Sequence, residues 1–88
     1  MNANSPQKTI NSQIIAKKLK QDKFGKDYLI LELENEESIF VFAGKVKKEK
    51  WGELKEGQKY EFTIEEGNNG SNLLVDFLSE GDDFDFLI

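Results

Sequence analysis

Aromatic rings next to lysines are the residues of this 88-residue sequence best suited to binding chemistry. Phe24 lies in a turn-forming segment between Lys23 and Lys26, where a large apolar ring has no local core to enter. Nucleic-acid bases stack on flat aromatic faces, and lysines beside such a face can contact phosphates. The pattern therefore favours a contact between Phe24 and a ligand, with a cap on the end of the protein core as the alternative.

Tyr28 begins the next predicted strand, in which leucines occupy every second position. Such a period of two is typical of a strand with one apolar face, and we expect the leucines in the core. Tyr28 then lies on the outer face, where its ring can stack on a base. Because its hydroxyl tolerates water, an ordinary surface tyrosine is an equal alternative.

The orientation of Phe40 and Phe42 depends on the turn that precedes their strand. A three-residue loop at 34–36 places both rings on the outer face, whereas a turn one residue shorter reverses the alternation and buries them. Ile39 and Val41 are sufficient to fill the core at this strand, so we favour the three-residue loop. Two outward phenylalanines without a ligand promote aggregation, and a binding function explains them.

Lysines form two blocks in a chain whose net charge is −5. Residues 8–27 hold six lysines against two aspartates, and residues 43–59 hold six lysines against three glutamates. Every basic residue is lysine, which contacts phosphate as a point charge but cannot read a guanine edge bidentately as arginine does. We expect a groove across the second and third strands, lined on both sides by Lys17, Lys18, Lys20, Lys23, Lys26, Lys45, Lys47, Lys48 and Lys50. The rim of that groove is expected to hold Glu32, Glu34 and Glu37.

Trp51 ends a basic stretch, 45–51, within the second lysine block. An aromatic end to a basic stretch invites a stacking role, and Trp51 is a candidate binding residue on that ground. A tryptophan on a short helix under a small barrel more often plugs the open end of the barrel, and this alternative is favoured.

Cysteine and histidine are absent from the sequence, which excludes disulfides, thiolate or imidazole metal sites, cysteine nucleophiles and histidine general bases. The carboxylates lack the spacing of a calcium loop, so we expect no metal, no cofactor and no enzymatic activity. No apolar run approaches the roughly 18 to 20 residues of a membrane span, and the start of the chain is polar rather than signal-like. These features predict a cytoplasmic protein without membrane contact.

Alternating apolar residues predict an all-β domain over residues 9–79, between a disordered N-terminus (1–8) and an acidic tail (80–88). A break in the alternation at Ile14 and Ile15 is typical of a strand bent by a β-bulge. The predicted strands cover residues 9–20, 28–34, 38–43, 59–65 and 72–78, with a short helix within residues 45–54.

The fourth and fifth predicted strands show the same alternation. The fourth is expected to point three large residues inward and its polar residues outward, which is typical of a sheet with one face in water. The fifth places three apolar residues on one side. The inward residues of the fourth strand are Tyr60, Phe62 and Ile64. The apolar residues on one side of the fifth strand are Leu73, Val75 and Phe77.

Five strands, a long bent first strand, a helix between the third and fourth, and the pattern L-x-x-G-x-x-Y-x-F at residues 54–62 resemble an oligonucleotide/oligosaccharide-binding (OB) barrel. Residues 39–42 resemble the third strand of cold-shock barrels, in which alternate aromatic residues face RNA or single-stranded DNA. The resemblance implies a five-stranded OB-fold barrel. An SH3-like small barrel, which does not need the helix, is the rival fold.

The last seven residues combine acids with large apolar side chains and resemble the acidic, aromatic-tipped tails of bacterial and phage single-stranded-DNA-binding proteins. The resemblance implies that this tail recruits replication or recombination proteins. Its apolar residues are expected to act as anchors, while its acids steer it toward a basic rim. The expected partner-binding residues are Asp82, Asp83, Phe84, Asp85, Phe86, Leu87 and Ile88.

Residues and resemblance together predict sequence-nonspecific binding of single-stranded DNA in replication or recombination, by a compact protein of the kind that phages and mobile elements carry. RNA as the ligand and a homo-oligomeric state stay open. The alternative is a barrel that binds only protein, as a small inhibitor or adaptor, with its aromatic residues in a core or an interface.

Overall fold

The computed structural model describes residues 7–67 and 70–79 of the chain. This part contains five strands and one short helix, and each strand ends within two residues of its predicted bounds. The helix is shorter than the predicted segment 45–54. A helix with the length and hydropathy of a membrane span is not found in this part of the chain. The elements are β1 (Gln7–Gln21), β2 (Asp27–Leu33), β3 (Ser38–Phe42), α1 (Lys48–Trp51), β4 (Lys59–Glu66) and β5 (Asn72–Ser79).

The five strands form a closed barrel with the order β1-β2-β3-β5-β4, in which β4 also pairs with β1. β1 is long enough to pair with two neighbours, because its first half lies against β4 and its second half against β2. The strand pairs are antiparallel except β3 with β5, which is parallel. The predicted small all-β barrel with a helix between its third and fourth strands is therefore confirmed.

A β-bulge in β1 confirms the predicted break in alternation. The pairing with β2 shifts just after Ile14, so Ile15 falls between two successive pairs and is exposed. Ile14 points inward before the bulge, and Lys17 takes the inward side after it. The extra residue shifts the alternation by one position, which places Lys18 and Lys20 on the outer face.

The barrel interior is filled by aliphatic and aromatic side chains from every strand and from the segment around α1. The leucines of β2 and the inward residues predicted for β3 and β4 all lie in this core, as the sequence pattern indicates. The buried residues are Ile14, Leu29, Leu31, Leu33, Ile39, Val41, Val46, Trp51, Leu54, Tyr60, Phe62, Ile64 and Leu74.

The prediction that Leu73, Val75 and Phe77 share one side of β5 is wrong. The pairing of β4 with β5 shifts at Val75, because Thr63 pairs with Asp76 while the next residue of β4 pairs with Leu74. Leu74 is consequently the buried residue, and Phe77 returns to the core side after the irregularity. Leu73 lies on the outer face, since its parallel partner on β3 faces outward.

The segment around α1 closes one end of the barrel. The Trp51 indole Nε1 donates a hydrogen bond to the Val46 carbonyl at 2.8 Å and holds the ring in the core. The Lys17 ammonium donates to the carbonyls of Trp51 at 2.9 Å and Leu54 at 2.8 Å. Trp51 is the last residue of a four-residue helix, where backbone acceptors lack partners within the helix, and Leu54 follows three residues later. Lys17 therefore connects β1 to the plug of the barrel.

Tyr60 connects the start of β4 to the turn that follows α1. Its ring is fully buried, and its hydroxyl donates to the Glu53 carbonyl and accepts from the Lys55 amide at 2.8 Å. Two backbone groups in a segment without regular structure are thereby satisfied. The hydroxyl and the ring of Tyr60 both contribute to closing this end of the barrel.

Tyr60→Phe is expected to lower the free energy of unfolding by about 1 to 2 kcal/mol, because it removes the partner of two backbone groups. Urea denaturation followed by circular dichroism measures this loss. Tyr28→Phe is the matched control, since no hydrogen bond of the Tyr28 hydroxyl is found within the described residues, and it should change stability by less than about 0.5 kcal/mol. Equal losses for the two variants would contradict the structural role of the Tyr60 hydroxyl.

Candidate functional site

Three aromatic rings form a stacked group on the outer face of β2 and β3, here called the aromatic platform: Tyr28, Phe40 and Phe42. The ring centroids of Tyr28 and Phe42 are 5.4 Å apart, and Phe40 lies 6.2 Å from Tyr28 and 6.3 Å from Phe42. Their planes differ by 8° to 30°, so the rings present similar orientations. Each residue is half-buried, which leaves part of each ring on the surface.

The turn between β2 and β3 sets this orientation. The amide of Leu33 donates to the carbonyl of Glu37 at 2.9 Å, which encloses a three-residue loop at 34–36. Glu36 has a φ of 70°, the left-handed conformation expected at the last position of such a loop. The resulting register pairs Tyr28 with Phe42 and places both outward. The predicted three-residue loop is therefore confirmed, together with the outward orientation that depends on it.

Two lysines of β1 lie beside the platform on the same outer face. Lys20 pairs with Tyr28, and Lys18 pairs with Ile30, which in turn lies opposite Phe40 on β3. The Lys18 ammonium is 3.0 Å from a carboxylate oxygen of Glu32, which lies two residues further along β2. The cations of β1 therefore flank the rings of β2 and β3 on one face of the sheet, an arrangement suited to a ligand that carries both flat rings and anionic groups.

Phe24 is exposed at the tip of the loop between β1 and β2, with 77% of its surface accessible. The Asp22 carboxylate accepts hydrogen bonds from the amides of Phe24 at 2.8 Å and Lys26 at 2.9 Å, which orders the loop around the ring. Gly25 has a φ of 82°, which its missing side chain permits. The Lys23 ammonium lies 5.4 Å from the ring centroid. The alternative of a barrel cap is wrong, because the ring points into solvent.

Trp51 lies in the core rather than on the binding surface. Only 6% of its surface is accessible, so its faces are not open to a base. The Lys48 ammonium covers the ring at 5.7 Å from the centroid. The favoured interpretation of Trp51 as a plug of the barrel matches this position, and the selection of Trp51 as a binding residue is wrong.

Three of the candidate lysines are held by contacts within the fold. The Lys17 ammonium is bonded to the two carbonyls described above, and Lys45 pairs with Glu65 of β4. The Lys48 ammonium is 2.8 Å from Asp27, and its hydrogen bond, with a second from Gln21, lowers the pKa of the Asp27 carboxyl. These lysines connect strands and helix and are less available for a ligand than the remaining candidates.

The other candidate lysines form two groups, of which the first lies beside the platform on β1 and the Phe24 loop. The second follows β3 around α1, where Lys47 and Lys50 line a groove of about 270 Å³ with Val75, Asp76 and Phe77 of β5. No ion pair of either group except that of Lys18 is found among residues 7–67 and 70–79. The group on β1 and the Phe24 loop consists of Lys18, Lys20, Lys23 and Lys26. The group around α1 consists of Lys47 and Lys50.

Leu73 and Ile30 also belong to this surface, although sequence reasoning did not select them. Ile30 lies between Lys18 and Phe40 in one row across the sheet, and Leu73 extends that row from β5. The period of two along β2 does predict that Ile30 lies on the face of Tyr28, and the pairing of Ile30 with Phe40 agrees with it. Leu73 could not be found in this way, since a parallel pair between distant strands leaves no local pattern. The predicted partner-binding residues 82–88 lie outside the described residues.

No family model matches the sequence, and no curated protein is significantly similar to it. The features of the described residues that bear on function are the chemistry and geometry of the platform and of the lysines beside it.

Phe40→Ala is expected to leave the barrel folded and to lower the free energy of unfolding by about 1 to 2 kcal/mol, because the ring lies on the outer face and is only half-buried. Phe62→Ala is the matched control, since that ring is fully buried and its loss should cost about 3 to 5 kcal/mol. Both values are obtained from urea denaturation. If Phe40→Ala costs as much as Phe62→Ala, the Phe40 ring is part of the core and the platform is not a free surface.

Proposed function

We propose that this chain is an OB-fold protein that binds single-stranded DNA without sequence preference. Three features of the barrel support the fold assignment: the strand order β1-β2-β3-β5-β4, a first strand that pairs with two neighbours, and a helix between β3 and β4. OB-folds bind oligonucleotides on the face of their second and third strands and with the adjoining loops. The aromatic platform lies on the corresponding face, and Phe24 lies in the corresponding first loop.

The stacked rings of the aromatic platform are the observation that carries this proposal. Half-exposed aromatic rings cost free energy in water, whereas a base that stacks on one of them contributes roughly 1 to 3 kcal/mol. Every base has a flat π-face, so such contacts tolerate any sequence. Phe24, at the tip of its loop, adds a further ring on the side of Tyr28.

Phosphate contacts are assigned first to the lysines beside the platform on β1 and the Phe24 loop, and second to Lys47 and Lys50 around α1. A lysine contacts phosphate as a point charge and does not distinguish one base from another. The sequence contains no arginine, so the bidentate contact that most often reads guanine in duplex DNA is missing from this chain. Lysines together with stacking rings favour binding without sequence specificity.

A duplex fits this surface poorly. Paired bases are already stacked within the helix and expose only their edges, so the platform has no base face to contact. Affinity for duplex would then depend on phosphate attraction alone, and the chain carries a net charge of −5. Preference for single strands over duplex follows from the platform.

The proposed process is replication or recombination, in the compact form of single-stranded-DNA-binding protein that phages and mobile elements carry. The tail, 82–88, would recruit replication or recombination proteins through its apolar anchors and its acids. The resemblance of the tail to those of single-stranded-DNA-binding proteins supports this role. RNA is the other ligand that the aromatic platform would accept.

A protein-binding barrel is the alternative, because exposed aromatic rings are also typical of protein interfaces. The two functions differ in the role of the lysines. A nucleic-acid surface needs them for phosphate, which makes its affinity fall steeply with salt, whereas an inhibitor or adaptor without a nucleic-acid ligand shows no affinity for an oligonucleotide.

Fluorescence polarisation with labelled oligo-dT should show binding that weakens as salt is raised, with a slope of about −0.7 in log–log form for each phosphate contacted. A duplex of the same length should bind much more weakly at every salt concentration. Equal or tighter binding to duplex contradicts the platform as the binding surface. Absence of binding to either oligonucleotide favours the protein-binding alternative.

Phe24→Ala and Phe40→Ala are each expected to weaken binding to oligo-dT by about 1 to 3 kcal/mol, because each removes a ring on which a base stacks. Leu78→Ala is the matched control, since Leu78 is also a large exposed apolar residue but faces outward on β5 beside β4. It should leave the affinity unchanged. Circular dichroism verifies that each variant is folded, and an unchanged affinity for both phenylalanine variants would remove the stacking contacts from the proposal.

A further inference from the structure

The ion pair between Lys18 and Glu32 lies on the outer face, directly beside the aromatic platform. Lys18 pairs with Ile30 across the β1–β2 ladder, and Ile30 pairs with Phe40, so the lysine lies in the same row as a platform ring. Glu32 lies in the next row, and its carboxylate is 3.0 Å from the Lys18 ammonium. The pair therefore places an anion on the same face as the Phe40 ring, in the row next to it.

This ion pair differs from the two others that the described residues form. Asp27, the partner of Lys48, also accepts a hydrogen bond from Gln21, and Glu65, the partner of Lys45, has only 16% of its side chain exposed. The Lys18 and Glu32 side chains are 51% and 39% exposed, and one contact joins them. An exposed pair with a single contact contributes little to stability and can exchange its partner at low cost.

We propose that Glu32 imitates a nucleic-acid phosphate in the free protein and that Lys18 exchanges Glu32 for a phosphate when a single strand binds. Glu32 is thereby a competitor built into the binding surface, and it limits affinity. This inference rests on the proposed function, since it concerns the same surface.

Electrostatics gives the direction of the effect. Binding must first separate Lys18 from Glu32, and it then leaves an unpaired carboxylate close to the incoming phosphate, which it repels. Both effects weaken the complex, and both vanish when Glu32 is made neutral. As a consequence, the protein releases the bound single-stranded DNA more easily, because the Glu32 carboxylate can pair with the Lys18 ammonium again.

A double-mutant cycle tests the exchange. Glu32→Gln should tighten binding to labelled oligo-dT about two- to five-fold at low ionic strength, the factor expected from one exposed ion pair. The gain should shrink as salt is raised, because exposed charges are screened. In the Lys18→Gln background, Glu32→Gln should increase the affinity for oligo-dT much less, since there is no ammonium for the substitution to release.

Two further measurements make the cycle specific. Glu61→Gln, which neutralises an outward carboxylate of β4 away from the platform, is the matched control and should leave the affinity unchanged. Lys18→Gln alone should reduce the salt slope by about 0.7, the contribution of one phosphate contact on a single strand. Thermal melting verifies that each variant is folded, and Glu32→Ala provides a second neutral variant.

The outcomes separate this inference from the proposed function. Tightening by Glu32→Gln that depends on Lys18 supports the exchange. Equal tightening with and without Lys18 contradicts the exchange, because Glu32 then only repels the ligand. Absence of tightening contradicts the exchange as well. If the unsubstituted protein does not bind oligo-dT, the proposed function fails and the inference fails with it.

Discussion

The register of the β2–β3 hairpin is the constraint on which the rest of this structure depends. Side chains alternate between the two faces of a strand, so a slip of one residue exchanges every inward side chain with an outward one. The three-residue loop at 34–36 holds the pairing of Tyr28 with Phe42. The same register points the leucines of β2 and the aliphatic residues of β3 into the core. Core and aromatic platform are therefore two results of one turn.

The bulge in β1 determines which lysines lie on the outer face of the sheet. Before the bulge β1 pairs with β4, and from Ile14 onward it pairs with β2, so the strand must bend between its two partners. The extra residue, Ile15, bends the strand and shifts the alternation by one. Without this shift Lys18 and Lys20 would point into the barrel. Closure of the barrel and cations beside the platform thus depend on the same irregularity.

The lysines of this acidic chain have two kinds of surroundings. Lysines near the platform divide into those that connect parts of the fold and those that border the rings. Lys17 holds the plug of the barrel, and Lys48 joins α1 to β2 through Asp27. Lys20, with no ion pair among the described residues, lies directly beside Tyr28. Net charge alone therefore says little about the local field that a ligand meets.

The sequence by itself determined the five strands, the bulge at Ile14 and the inward residues of β2 and β4, because alternation and its interruption are local patterns. It also reduced the orientation of Phe40 and Phe42 to the length of one loop. For Trp51 it favoured burial over a stacking role. Only the tertiary structure decided the outward position of Leu73 and the division of the lysines. These features depend on partners far away in the chain, such as the parallel pairing of β3 with β5, and no local pattern records them.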